Sequence, residues 1–147
     1  MVLFEVRTID SAPVSLRFWP TVLASLLVRK PLSLAVVPLE ARNAASYLIA
    51  FDNTNGTATG IAINTISSQP VSVPVAVRDD LGNPLTTGTI QLNANGHTSF
   101  TLAQQFPQTA GIRGTVEFDT PASAAISVLG IRSPPALTFT TLPPLAK

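Results

Sequence analysis

The sequence predicts an all-β domain, an antiparallel immunoglobulin-like or Greek-key sandwich of about seven or eight strands. Short runs rich in Val, Ile and Thr recur roughly every ten residues from position 46 onward. Gly, Pro, Asn, Asp and Ser, the residues that form turns, separate these runs. Thirteen prolines disfavour long helices, because a proline inside a helix costs about 3 kcal/mol.

The predicted strands follow from side-chain alternation between these turns. They cover residues 46–51, 59–66, 71–78, 86–92, 97–102, 114–118, 124–132 and 137–142. Residues 71–77 carry Val at every odd position, which is typical of a strand with one face on a core. Pro74 cannot donate to a ladder, so this strand is expected at an edge or with a bulge. Residues 124–131 are apolar on both faces and predict a central strand.

The chain is predicted to divide into an N-terminal arm, residues 1–34, and a sandwich domain, residues 35–147. The arm is expected to be irregular or partly helical, and it is not necessarily native to the module. Its apolar run at 18–28 is shorter than the roughly 20 residues that a membrane-spanning helix needs. Arg29 and Lys30 follow this run, whereas the positive charges of a signal peptide precede its apolar core. We therefore expect no transmembrane segment and find no clear signal peptide.

Charge and composition narrow the classes of partner. Charged residues form 12% of the chain, about half the usual share, and the net charge is +1. Nine Lys and Arg offer little attraction to a nucleic acid or an anionic membrane. The absence of Cys excludes disulfides and thiolate metal sites. The surface must be covered largely by Ser, Thr, Asn and Gln, which is common in exported β domains.

Six short motifs carry a resemblance to a known family. They are Val-Pro-Leu-Glu at 37–40, Phe-Asp-Asn-Thr-Asn-Gly at 51–56, Arg-Asp-Asp-Leu-Gly at 78–82, Ala-Asn-Gly-His-Thr-Ser-Phe at 94–100, Arg-Gly-Thr-Val-Glu-Phe at 113–118 and Ile-Ser-Val-Leu-Gly-Ile-Arg at 126–132. As a set, over about residues 35–142, they resemble the C-terminal β-sandwich module of large secreted proteins of acidobacteria and related soil bacteria. The resemblance implies an accessory part of an exported chain, extracellular or periplasmic, with no catalytic residues to carry over. Residues 1–34 depart from that pattern.

His97 is the only imidazole in the chain. A hydrolytic triad built on it would need a hydroxyl such as that of Ser99 and a carboxylate such as Asp52 or Glu117. No Gly-x-Ser-x-Gly motif accompanies it. The favoured interpretation is a structural His at the start of a strand.

Four acidic residues in turns are candidate ligands of Ca²⁺: Asp52, Asp79, Asp80 and Asp119. Ca²⁺ takes carboxylate, amide and backbone carbonyl oxygens, and two of these turns are rich in such groups. Turn capping by the same side chains is the favoured alternative. If Ca²⁺ binds, it could polarise a carbonyl and activate water, with Asp79 and His97 as catalytic residues of a small hydrolase of esters or lactones.

The remaining charged and aromatic residues have simpler interpretations. Arg78, Arg113 and Arg132 lie beside turns. They are expected to form ordinary surface ion pairs with carboxylates of the set Asp79, Asp80, Glu117 and Asp119. Five aromatic side chains could line a carbohydrate platform but are expected to lie mostly in the core: Phe18, Trp19, Tyr47, Phe51 and Phe100.

These observations favour a non-catalytic module with a structural or adhesive role. It would bind an unknown protein, glycan or small neutral ligand by its turns or an edge strand. The calcium-assisted hydrolase is the alternative from another class. A third expectation is a homodimer through Leu26, Leu27 and Leu34 of the arm, with no ligand site.

Overall fold

The structure, a computed structural model, describes residues 43–136 and 138–147. The predicted arm and the leucines of the predicted arm-mediated dimer lie outside the described residues. The described strands are β1 Ser46–Asp52, β2 Ala58–Thr65, β3 Val71–Asp79, β4 Pro84–Leu92, β5 His97–Thr101, β6 Arg113–Asp119, β7 Ile126–Ser133, β8 Thr140–Leu142 and β9 Leu145–Ala146. A short helix α1, Leu102–Gln105, and a 3-10 turn, Pro107–Thr109, connect β5 to β6.

Two antiparallel sheets form the sandwich. The first sheet has the order β4-β3-β6-β1-β9 and the second the order β5-β2-β7-β8. Their facing side chains build one core, with Tyr47, Ile49 and Phe118 of the first sheet and Ile61 and Ile63 of the second all at most 1% exposed. The predicted all-β sandwich class is confirmed.

The pairing of the inner strands is that of an immunoglobulin domain. There, the second and fifth strands share one sheet and the third and sixth share the other. Here β2 pairs with β5, and β3 pairs with β6. The flanking strands are exchanged, because β1 lies beside β6 and β7 lies beside β2.

The predicted central strand is confirmed, since β7 lies between β2 and β8. β3 is not an edge strand, because β4 and β6 flank it. However, the ladder with β6 begins only at Val75, so Pro74 has a ladder partner on one side alone. The register shift falls between Val77 and Arg78 rather than at Pro74. Proline is tolerated at position 74, although it lacks an N–H, because the β3–β6 ladder ends at Val75, one residue short of it.

The segment between β5 and β6 differs from the prediction at its beginning, where a short helix replaces the predicted end of β5 at residue 102. The predicted turn at 107–111 is confirmed, since it contains the 3-10 turn. Leu102 and Phe106, one helical turn apart, are buried at 0% and 6% exposure. A methyl group on Gly88 of β4 would approach the Phe106 ring to 2.7 Å. The helix therefore brings two apolar side chains to the core, and Gly88 leaves the space that Phe106 fills.

Candidate functional site

The predicted site residues separate into two groups at opposite ends of the sandwich. Asp52 ends β1 opposite Arg113, and Asp79 ends β3 opposite Gly114, the next residue of β6. Asp119 closes β6 at its other end, opposite Ser46. A strand of seven residues spans roughly 20 Å. Asp52 and Asp79 thus lie at one end and Asp119 at the other.

His97 lies at the far end as well. β2 begins at the Asp52 end, because the Thr59 hydroxyl donates to the Asp52 carbonyl oxygen at 3.1 Å. The strand then runs away from that end to Asn64, which pairs with His97 of β5. His97 is exposed there. The structure therefore does not bring His97 and Asp79, the predicted catalytic pair, together.

The Asp52 carboxylate joins the two sheets. Its Oδ1 accepts hydrogen bonds from the Thr54 backbone N–H at 3.0 Å and the Thr54 hydroxyl at 2.7 Å. Its Oδ2 accepts a bond from Arg132 of β7 at 3.2 Å, and Arg113 Nε lies 3.5 Å from Oδ1. The two hydrogen bonds from Thr54 lower the pKa of Asp52 most, and Arg113 and Arg132 lower it further. Together they outweigh desolvation, which raises the pKa, and bring it to about 2. Asp52 thus faces two cationic side chains.

The Asp79 carboxylate caps its own turn. Oδ1 accepts bonds from the backbone N–H groups of Leu81 at 3.0 Å and Asn83 at 2.7 Å. Oδ2 accepts a bond from the Asn83 side-chain amide at 2.9 Å. These donors, the Asn83 amide foremost, lower the pKa of Asp79. This is the geometry of the turn-capping alternative, and the positive φ of Gly82, +86°, belongs to the same turn.

An open cleft lies beside this turn. Its volume is about 440 Å³, and it is lined by Thr54, Asp79, Asp80, Leu85, Ile112 and Arg113. Of the four predicted calcium ligands, Asp79 and Asp80 therefore share one cleft, while Asp52 is engaged by arginines and Asp119 lies elsewhere. Among residues 43–136 and 138–147, no group of three or more His, Asp or Glu side chains is placed to hold a metal ion.

A second carboxylate network lies on the outer face of the first sheet and was not predicted as a site. Glu117 Oε1 accepts bonds from Lys147 Nζ at 3.0 Å and Ser46 Oγ at 2.9 Å, and Oε2 accepts one from Arg78 at 3.2 Å. The Lys147 bond is the largest of the interactions that lower the pKa of Glu117. Arg78 thus pairs with one of the expected carboxylates, whereas Arg113 and Arg132 pair with Asp52, which was not among them.

Sequence patterns also missed a buried polar cluster at the Asp52 end. The Asn53 amide nitrogen donates to the Thr109 carbonyl and hydroxyl oxygens at 3.1 and 3.2 Å. Its amide oxygen accepts the Thr59 N–H at 2.8 Å. Thr59 and Thr109 are fully buried, and Asn53 is 8% exposed. The one sequence signal for this cluster was an Asn directly after a buried strand. Its partner Thr109 is 56 residues away in the chain, so no local pattern connects the two.

The expected core placement of aromatic residues is confirmed for Tyr47 and Phe51, at 0% and 3% exposure. Phe100 is half-buried and packs against the core. Phe18 and Trp19 lie outside the described residues. Within the part of the chain that the structure describes, Phe139 is the one aromatic residue that is strongly exposed, at 44%.

Comparisons with known proteins add little to this geometry. No family model matches the chain, and no curated protein matches it. A solved structure of FlgD from P. aeruginosa is 17% identical, covering 70% of this chain and 90% of that chain, with a TM-score of 0.35. A likeness at that level carries no functional inference. No helix in the described ranges is long and apolar enough to cross a bilayer.

Proposed function

We propose that this chain is a non-catalytic β-sandwich module of an exported bacterial protein, with a structural or adhesive role. The observation that carries the proposal is that three acidic side chains make contacts within the fold. Asp52, Asp79 and Glu117 all engage their oxygens in contacts that hold strands and turns together. The resemblance to accessory modules of secreted proteins supports the same function and an extracellular or periplasmic location.

The protonation of these carboxylates also favours a structural role. A general acid or base works best when its pKa lies near the operating pH, which for a carboxyl group requires a raised value. The pKa values of Asp52, Asp79 and Glu117 are instead lowered by their donors. These groups stay ionised at neutral pH and act as fixed hydrogen-bond acceptors.

The character of the surface supports the proposed class of partner. The outward positions of β4 include Thr87, Thr89 and Gln91, all exposed and uncharged. Only 12% of all residues are charged. Such a surface suits a neutral partner, a protein, a glycan or a small ligand, bound by short polar contacts rather than by charge steering.

A hydrolysis assay tests the proposal against the alternative of a calcium-assisted hydrolase. The full chain is incubated with ester and lactone substrates, with Ca²⁺ or with a chelator, beside Asp79→Asn and His97→Ala. We expect equally low background rates for all proteins and both conditions. Turnover that requires Ca²⁺ and is lost in both variants would overturn the proposal. Asp119→Asn, at an exposed position at the opposite end of the sandwich from the cleft, controls for the loss of charge.

Cell fractionation tests the proposed location. Tagged protein expressed from its native gene is expected outside the cytoplasm, with its partner retained in a pull-down from the same fraction. Recovery from the cytoplasmic fraction alone would contradict export. The non-catalytic role is tested separately, by the hydrolysis assay.

A further inference from the structure

β4 is an edge strand whose outer side no other described strand covers. It ends the order of the first sheet, and β3 is its only neighbour among the described strands. Its sequence after Pro84, Leu-Thr-Thr-Gly-Thr-Ile-Gln-Leu, has no charged residue and no further proline. The register shift with β3 lies at the beginning of the strand, opposite Val77 and Arg78. Edge strands normally carry charges, prolines or bulges, because free N–H and C=O groups pair readily with another strand.

Pro74 indicates which backbone groups of β4 point outward. In an antiparallel ladder, residue pairs that exchange two hydrogen bonds alternate with pairs that exchange none. Pro74 has no N–H and lies opposite Thr89, so this pair fits the second kind. The N–H and C=O of Thr89 then point away from β3. Two residues earlier, the same groups of Thr87 point the same way.

The strand is self-complementary about its middle residue. Gly88 lies four residues from both ends of Pro84–Leu92. An antiparallel copy with Gly88 opposite Gly88 places Thr87 opposite Thr89 and Thr86 opposite Ile90. Over residues 86–90, core-facing positions then meet core-facing positions, since the period of two is preserved there and the register shift lies before it. Cross-strand Thr pairs are favourable, and no like charges oppose each other.

We propose that β4 pairs with β4 of a second copy of this chain, antiparallel about a two-fold axis at Gly88. Thr87 and Thr89 of each copy exchange backbone bonds with Thr89 and Thr87 of the other, about four bonds in all. The two first sheets become one continuous sheet across an isologous interface. The residues that exchange these bonds, Thr87 and Thr89, do not line the cleft. The dimer also needs no residue of the N-terminal arm, so it holds whether or not the proposed function does.

Sedimentation equilibrium of the full chain tests the dimer. With rising concentration, the mass is expected to approach twice the 15.4 kDa of one chain. The double variant Thr87→Lys with Thr89→Lys places four cations around the axis and is expected to weaken dimerisation at least tenfold. Mixing it with the double variant Thr87→Glu with Thr89→Glu should restore association, because lysines of one copy then face glutamates of the other at both paired positions.

The control adds the same two charges elsewhere, through Ser99→Lys and Gln105→Lys at exposed positions on β5 and α1. It is expected to dimerise like the natural chain. A natural chain that stays monomeric at every concentration overturns the proposal. So does a dimer that survives the Thr87→Lys and Thr89→Lys pair, which would point to the arm or another surface.

Cross-linking tests the register, and the chain has no Cys to interfere. Opposed residues in a bonded antiparallel pair have Cα atoms about 5.5 Å apart, within the range of a disulfide. A mixture of Thr87→Cys and Thr89→Cys chains should therefore form a heterodimeric disulfide faster than either chain alone. Equal rates for the mixture and for Thr87→Cys alone would contradict an axis at Gly88.

Discussion

At the scale of single residues, the environment of Asp52 shows why a turn carboxylate is a structural group here. The residue ends a buried strand, and its side chain meets Arg113 of the same sheet and Arg132 of the opposite sheet. The carboxylate is 22% exposed, and the two arginines are 58% and 41% exposed. The pairs are therefore partly screened by water, and each is worth less than a fully buried pair.

We expect Asp52→Asn to lower the free energy of unfolding at pH 7 by about 1–2 kcal/mol. The folded pKa of about 2 lies below the ordinary 3.8. The ionised form therefore contributes its full stability above about pH 4, and this contribution is lost as the pH falls toward 2. Urea unfolding at several pH values measures this, and the variant should have a flatter profile between about pH 4 and 2.

The control for that series is Asp80→Asn, because Asp80 is exposed and has no ion pair within the described residues. Its stability should change by less than about 0.5 kcal/mol. An equal loss in both variants would mean that net charge, and not the arginine contacts, determines the effect.

Gly114 is a second residue at which the neighbouring atoms restrict which amino acid fits. It lies opposite Asp79 in the ladder between β6 and β3. A methyl group there would overlap the Arg78 carbonyl oxygen and approach Asp79 Cα to 2.9 Å. Backbone atoms cannot turn aside as a side chain can, so Gly114→Ala is expected to cost about 3 kcal/mol or more.

Thermal unfolding followed by circular dichroism measures that cost. Gly60→Ala is the matched control, because a methyl group on Gly60 of β2 meets its nearest atom at 3.8 Å, an ordinary contact. Similar midpoints for Gly114→Ala and the natural chain would show that the strands can separate there at little cost.

At the scale of elements, the C-terminal strand covers part of the free edge of β1. Tyr47 and Leu48 pair with Ala146 and Leu145. The Lys147 carbonyl accepts bonds from the N–H groups of Ala45 and Ser46, and the Lys147 N–H donates to the Ser46 carbonyl. The Lys147 side chain adds its bond to Glu117. The end of the chain is thus held mainly by its backbone.

Deleting residues 145–147 should therefore raise amide exchange at the start of β1 and leave β3 and β4 protected. Lys147→Ala keeps the backbone pairing and removes only an exposed ion pair, so its exchange pattern should match that of the natural chain. Hydrogen exchange followed by mass spectrometry measures both. A loss of protection in Lys147→Ala equal to that of the deletion would assign the role to the side chain.

At the scale of the whole molecule, most pairings join distant parts of the chain. β1 pairs with β6, and β2 pairs with β7. Loops of this length must close before the contacts stabilise anything, so folding is expected on a time scale of milliseconds to seconds. Stopped-flow circular dichroism after dilution from denaturant measures the rate. Folding within microseconds would contradict this pairing pattern.

Local signals predicted a large part of this architecture. The alternation at 71–77 places its valines in the core, and all four are at most 6% exposed. Asn55 and Gly56, taken as turn residues, have φ angles of +51° and +74°. The short helix Leu102–Gln105 was missed because four residues give too weak a helical period.

The candidate site was harder to predict than the fold. The acidic residues were identified as turn residues, and Asp79 caps its turn through neighbours two and four positions away. The partner of Asp52 across the sandwich, Arg132, is 80 residues away in the chain. Within the first sheet, the partner of Ser46, Glu117, is 71 residues away. No local pattern encodes which of several arginines reaches a given carboxylate.

The sequence alone was enough to predict the all-β class, the turns and the core-facing side of the clearest strands. These features depend on neighbours within a few residues along the chain. The folded arrangement was needed to show that His97 and Asp79 lie at opposite ends, that Asp52 joins the two sheets, and that β4 ends the first sheet. Those facts depend on which strands become neighbours, and strand order is set by packing between segments far apart in the chain.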